Sequence, residues 1–294
     1  MSEFSFGIFW SEPTITLAFS AIFVALISLW IRPTPLIWGP LALLSGMLGY
    51  ISGLVHHIYA IIPLSLLFIL LLVLGNIEIE GMRRLIVVIA IVVLSFLFIL
   101  HITPGFKSWL LFQPIEMKKG IRWYLETPFL GLFITTLYHP LLQSKKEWMR
   151  MIWQTIPIIF LQNLIIIYFA MSWGLISPNV NFSLSFFPWI LGYLFCIVLP
   201  QEALLHGVIQ KELERLPHTS ANIALSIAIP TVCFICLQLF MQFSFLYLII
   251  LALSGLGYSI LYYMTKSIES SVLCRLVLNS IYFIFFTYLP SINL

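Results

Sequence analysis

The chain contains no aspartate: all eleven of its acidic residues are Glu. That absence excludes catalytic Asp dyads and Asp-rich calcium loops of the EF-hand kind. Charge of either sign is scarce, at 9% of residues, where a soluble globular chain carries roughly 25%. The net charge of +3 is too small and too scattered to hold nucleic acid. Cysteine is also sparse. Cys196, Cys233, Cys236 and Cys274 all lie in apolar runs, where thiols behave as small buried hydrophobes and not as a disulfide framework. Cys233 and Cys236 have the C-x-x-C spacing, but with no second pair and no His at ligand spacing they do not describe a zinc site. No cofactor is expected, and a divalent metal is not supported by the residues present. The stretch from Met1 to Pro13 has Glu3 and Glu12 and no Lys or Arg, which does not fit a secretory signal peptide.

What the chain has in abundance is hydrophobic residues, 61% of 294. Apolar windows of the length that crosses a bilayer fall at roughly 14–31, 36–54, 58–75, 85–102, 127–143, 151–173, 185–207, 222–239, 244–264 and 270–288. The expected fold is all-α, a polytopic transmembrane helical bundle of about ten spans, with residues 1–180 as N-terminal membrane helices and 181–294 as the core of one integral membrane unit. The 127–143 window is the weakest, being short and holding His139 and Pro140. Counting connections alternately, Arg32, Arg83, Arg84, Lys145, Lys146, Arg150, Lys211, Arg215 and Lys266 fall on one side. Only Lys107, Lys118, Lys119 and Arg122 fall on the other, so the positive-inside rule places the first set in the cytoplasm and both termini outside. If 127–143 is re-entrant, this alternation fails.

The connection from Thr103 to Glu126 mixes Trp109, Phe112, Trp123 and Tyr124 with its four cations, a composition suited to a segment lying in the membrane interface. Asn181-Phe182-Ser183 has the form of a glycosylation sequon. His56 and His57 are adjacent, so on a helix they would point about 100° apart. They read as interfacial residues and not as a metal pair.

After residue 185 polar groups appear where hydrocarbon should exclude them. Gln201, Glu202 and His206 lie on one span, Gln238 on the next, and Arg275 and Asn279 on the last. Glu202 and His206 are spaced i, i+4, as are Arg275 and Asn279, and each pair shares a helix face. Pro200 cannot donate to the carbonyl of Cys196, which predicts a kink just before the cluster. A helix rise of ~1.5 Å per residue places Glu202, Gln238, Arg275 and Asn279 about 20, 24, 10 and 16 Å from the cytoplasmic helix ends, one band of depth. A pocket open to the cytoplasm is expected, because each group would otherwise be unsatisfied in lipid. Arg275 is expected to find its counter-charge in Glu202 or to snorkel to the surface. The plainer alternative for the first cluster is a helix leaving the membrane with its charges solvated.

The run Gln201-Glu202-Ala203-Leu204-Leu205-His206-Gly207 resembles the first motif, E-E-x-x-x-R-G, of the CPBP family, the CAAX-processing and bacteriocin-immunity (Abi) intramembrane endopeptidases. Phe234 to Gln238 stands where that family has F-x-x-x-H, and Arg275 to Asn279 where it has H-x-x-x-N. The intervening Gly255-Leu256-Gly257 followed by Tyr262-Tyr263 and Thr265 is similar to the family's small-residue helix. The likeness runs from about Phe186 to Asn279. It implies an intramembrane protease fold in a bacterial inner membrane, with site positions Gln201, Glu202, His206, Gln238, Arg275 and Asn279.

In the family, the first Glu and two His are thought to activate water while the Asn steadies the oxyanion. Here those positions read Gln201, Gln238, Arg275 and Asn279. An amide and a guanidinium cannot take a proton from water near neutral pH. The expectation is therefore a catalytically impaired protein, a pseudoenzyme that binds a membrane peptide, a prenylated tail or a partner membrane protein. An active peptidase using Glu202 and His206 is the alternative, and a transporter is a second one. The lipid bilayer is its surrounding partner in each case.

Overall fold

A computed structural model describes residues 7–112, 121–180, 182–239 and 245–288. Lys118, Lys119 and Asn181 of the expectations above lie outside them. The described chain is a helical bundle with two small two-stranded antiparallel sheets. Its helices are α1 (Gly7–Ser11), α2 (Pro13–Ile31), α3 (Pro35–Ile51), α4 (Ile61–Asn76), α5 (Gly81–Ile99), α6 (Glu126–Leu137), α7 (Lys145–Ser172), α8 (Phe186–Leu213), α9 (Ser220–Leu239), α10 (Phe245–Thr265) and α11 (Ile268–Phe285). The strands are β1 (Ser108–Phe112), β2 (Ile121–Tyr124), β3 (Ile176–Pro178) and β4 (Phe286–Tyr288).

Among the described residues eight helices are long and apolar enough to cross a membrane, α4 being counted with the 3-10 turn before it as Ile58–Asn76, and α3, at 17 residues, falls just short of that length. Their large exposed side chains, Leu43, Trp153, Phe160 and Tyr168 among them, are apolar; such a surface needs lipid around it. The protein is an integral membrane protein. The 127–143 window forms α6, whose 12 residues rise only about 18 Å and do not cross the hydrocarbon core as a helix. Nine of those 12 are buried, which is why the window is hydrophobic without being a spanning helix.

The chain divides into two compact units, one of residues up to Leu141 together with Phe187–Leu204, the other of Leu142–Phe186 and Leu205 onward. In the first, Pro33 to Pro35 breaks α2 from α3, since proline donates no hydrogen bond and restricts the residue before it, and the two helices pack side by side. Gly75 of α4 faces the Leu137 carbonyl of α6 so closely that any Cβ there would overlap it.

The Thr103 to Glu126 connection departs from the expected interfacial segment. It folds as an antiparallel hairpin, Trp109 opposite Trp123, with a register shift between Leu110 and Phe112. Strand geometry sends alternate side chains to opposite faces; Trp109 and Leu111 are buried while Leu110 is exposed. Trp109 stacks on Phe19 and Trp123 meets Phe19 and Phe23 edge-on. Trp109 and Trp123, which suggested a lipid headgroup belt, are thus buried in the interior of the first unit. At the hairpin's base His101, with φ 56, stacks on Tyr124 and approaches the Glu126 carboxylate at 2.9 Å. His56 and His57 are exposed beside this region, the His56 N–H donating to the Gly105 carbonyl.

In the second unit α7 opens on a capping box, Ser144 accepting from the Glu147 N–H while Glu147 accepts from the Ser144 N–H. Its far half packs Ile166 and Ala170 against Ile250 of α10, Leu278 of α11 and Ile176 of β3. β3 and β4 pair antiparallel beside that core, Ile176 opposite Tyr288.

Candidate functional site

The motif helix α8 is regular only in part. Tyr193–Val198 and Ala203–Gln210 are π-helical, joined by the single α-turn Leu199–Glu202. The proline supplies the local reason for the first: Pro200 has no N–H to return, and the Leu199 N–H bonds the Leu194 carbonyl five residues back. The sequence predicts a kink at Pro200; the helix absorbs the missing bond by widening. Wide turns of this kind recur at functional sites in helices. In the first unit α6 packs against the motif helix at Pro200, where a Cβ on Gly131 would meet the ring at 3.5 Å, an ordinary van der Waals contact.

Gln201 and Glu202 belong to the first unit, Glu202 fully buried at 0% exposure and Gln201 half-buried. A solvated helix exit is therefore not what Glu202 occupies. His206, Gln238, Arg275 and Asn279 belong to the second unit.

Within that second unit His206 is 2% exposed and its ring lies nearly parallel to that of Tyr262, centroids 5.6 Å apart. Its Nδ1 is 2.6 Å from Oε1 of Gln210, one turn on. Gln210 is itself fully buried, and its Nε2 donates to the Ser259 carbonyl of α10 at 2.9 Å. The Ser259 hydroxyl in turn lies 3.1 Å from that of Thr231 on α9, which donates to the Ile227 carbonyl.

Arg275 does not snorkel. It is 3% exposed, and its guanidinium carbon sits 5.0 Å from the centre of the Phe234 ring. Phe234 begins the second motif and is met edge-on by Tyr258 of α10. A desolvated cation over an aromatic face is worth about 2 kcal/mol, which offsets part of what burial of the guanidinium costs. Gly255 makes the arrangement fit, since a Cβ there would press on Phe234 at 3.0 Å and on Thr231 at 3.2 Å. Asn279 is half-buried and donates from Nδ2 to the Arg275 carbonyl at 2.9 Å. Its amide is thus partly committed to its own helix. Gln238 is half-buried on α9, four residues beyond Phe234.

Several polar residues that matter here escape motif reading. Gln162 of α7 is buried, donates to the Ser254 carbonyl of α10 and accepts from the Cys274 thiol of α11, so one amide ties three helices. It reaches that carbonyl because Gly257 has no side chain: a Cβ there would collide with the Gln162 amide. Glu269, at the start of α11, accepts from the Leu142 N–H and the Ser267 hydroxyl, each at 2.6 Å. The signal for Gln162 was present, a polar residue mid-span; Glu269 sits at a helix start, where a carboxylate is unremarkable in sequence. Among the described residues no group of three or more His, Cys, Asp or Glu gathers as a metal site would require.

The geometry gives the second unit a buried cation, an imidazole tied to an amide, and two further amides, all delivered by the motif positions and the small residues between them. No curated protein and no solved structure matches the chain. Residues 183–281 match the family described as Type II CAAX prenyl endopeptidase Rce1-like, so over the stretch that holds all six motif positions the chain carries the CAAX-protease-like region its motifs resemble.

Proposed function

We propose that this intramembrane peptidase-like protein binds its target without hydrolysing it. The target classes are a membrane peptide, a prenylated tail or a partner membrane protein. The observation that carries the reading is Arg275: the position where the family resemblance implies a histidine holds a buried guanidinium over Phe234. A guanidinium cannot accept a proton, and its fixed charge disfavours a second cation forming beside it. Gln201 and Gln238, at two further positions of the implied water-activating set, are amides and equally unable to serve as base.

The test compares the unmodified protein with the triple variant Gln201→Glu, Gln238→His, Arg275→His in detergent micelles. Each is offered fluorescent peptides with and without a prenylated C-terminal cysteine. The unmodified protein should bind one of them, read by anisotropy, and release no product. The triple variant should cleave, since a restored general base contributes on the order of 10²–10⁴-fold. Hydrolysis by the unmodified protein that is abolished by Glu202→Gln would overturn the reading.

That outcome would establish the second reading, a rebuilt hydrolase. One observation favours it specifically: His206, where the family resemblance implies Arg, is a buried imidazole with an ordered partner on Nδ1.

A further inference from the structure

The hydrogen bonds around Gln210 determine more than its own position. A backbone carbonyl can only accept, so the Gln210 atom 2.9 Å from the Ser259 oxygen is the amide nitrogen. Turning the amide over would set two acceptors against each other in a fully buried site. The atom facing His206 is therefore Oε1, which can only accept. At 2.6 Å the ring nitrogen opposite it must donate. That places the proton on Nδ1, and in the neutral imidazole the lone pair is then on Nε2. The ring's plane is fixed as well, because Tyr262 lies nearly parallel to it, at an interplanar angle of 21°.

We propose that Gln210 is a positioning residue that holds His206 as the Nδ1-protonated tautomer and so makes His206 Nε2 the proton-accepting nitrogen of the motif helix. The Ser259 carbonyl anchors the amide, and Ser259 itself is fully buried on α10. The orientation thus passes from the backbone of α10 through one amide to one imidazole. A histidine whose second nitrogen is tied in this way has its tautomer and ring direction set by that partner. What Nε2 does to a substrate rests on the second reading above. Which nitrogen bears the proton does not.

The tautomer is read directly from nitrogen-15 spectra of detergent-solubilised protein labelled at histidine, at a pH of about 8, above the ordinary histidine range near ~6.5. His206→Gln identifies the signals by their loss. The unmodified protein should show His206 with a protonated Nδ1 and an unprotonated Nε2. Gln210→Leu removes the acceptor opposite the ring and should bring both tautomers into the spectrum. Should the leucine variant fail to fold, the spectrum of the unmodified protein still decides. A proton on Nε2 at that pH, alone or on both nitrogens, overturns the proposal, as does an unaltered pattern in a folded Gln210→Leu. If the unmodified protein hydrolyses peptide, Gln210→Leu should slow turnover on the order of 10–100-fold. No hydrolysis at all would remove the second reading and leave the tautomer assignment to stand or fall on the spectrum.

Discussion

The two units meet the same physical problem, polar groups in an apolar surrounding, in different ways. In the first, Glu202 is buried within α8, while the paired Glu126 and His101 sit at the ends of elements, at the start of α6 and just beyond α5. Much of the interior between is closed by aromatic rings such as Trp109, Trp123 and Phe19. In the second, the polar side chains lie mid-helix and reach across to the backbone of α10. Gln162 donates to the Ser254 carbonyl and Gln210 to the Ser259 carbonyl. Those carbonyls lie within a helix, and a carbonyl oxygen has a second lone pair to accept such a bond. The contrast shows what a polar side chain inside a membrane helix requires. It needs a backbone carbonyl within reach on the neighbouring helix, and at Gln162 the glycine at 257 clears the way to one.

Glycine is used in both units for close approach, and one methyl group tests each use. Gly192 of α8 accommodates the indole of Trp123, and a Cβ there would fall on the ring itself. The indole is 5% exposed and wedged among Phe9, Phe19 and Phe23, so it has nowhere to turn. Gly192→Ala should cost about 3 kcal/mol, the upper end for overpacking, read as a lowered thermal midpoint in detergent. A loss under about 1 kcal/mol would show the aromatic cluster to be adaptable and would erase the contrast.

At the edge of the same unit, Glu126 tests whether charge or hydrogen bonding holds the hairpin's base. It is 1% exposed with its Oε1 on His101. Glu126→Ala should destabilise by about 2 kcal/mol, as expected for a hydrogen bond to an ionisable group. Glu126→Gln keeps an acceptor oxygen and should lose less than half of that. Equal losses would show that the carboxylate's charge and not its geometry is used. His101 carries a backbone contribution too, since φ 56 is a conformation that favours glycine.

In the second unit the amide is flexible where the indole was not. Gly257→Ala would push Gln162 aside and break its bonds to Ser254 and Cys274, costing about 1–2 kcal/mol. Gln162→Ala should cost about as much, since it leaves the Cys274 thiol without its acceptor. Together they should cost clearly less than the sum, because the added methyl then occupies space the amide has vacated. Strict additivity in that cycle would mean the glycine and the amide are not a matched pair.

How much of this was legible follows from where each partner lies along the chain. Windows of hydrophobicity read out most of the spanning helices because that signal is local and summed over about 20 residues. The motif spacing singled out Glu202, His206 and Arg275, which are all buried, because i, i+4 patterns are local as well. The 127–143 window misled because apolar composition says that a helix is buried and not whether lipid or protein buries it. The hairpin was hidden because the alternation of Trp109, Leu110 and Leu111 spans too few residues, interrupted by a register shift, to stand out from an aromatic-rich background. Gln162 meets Ser254 across 92 residues and Gln210 meets Ser259 across 49. No local pattern encodes such partners. The widened turns of α8 are a response to Pro200, whose presence was plain but whose consequence depended on how the helix redistributed one missing bond.

The smallest effect concerns a polar arrangement in the second unit that is wholly local. Ser144 accepts from the Glu147 N–H at 3.1 Å and Glu147 returns the bond to the Ser144 N–H at 3.0 Å, both exposed at the start of α7. Ser144→Ala removes one cap acceptor and should lower stability by about 1 kcal/mol, with Ser144→Asp restoring most of it. The cap stands 18 residues before Gln162 on the same helix, about 27 Å along its axis. The effects of Ser144→Ala and Gln162→Ala should therefore add within about 0.5 kcal/mol, as independent sites do. Coupling well beyond that would mean that the start of α7 and the amide tie in its middle form one cooperative element. The division between locally held helix ends and cross-helix amides would then not describe how the second unit is stabilised.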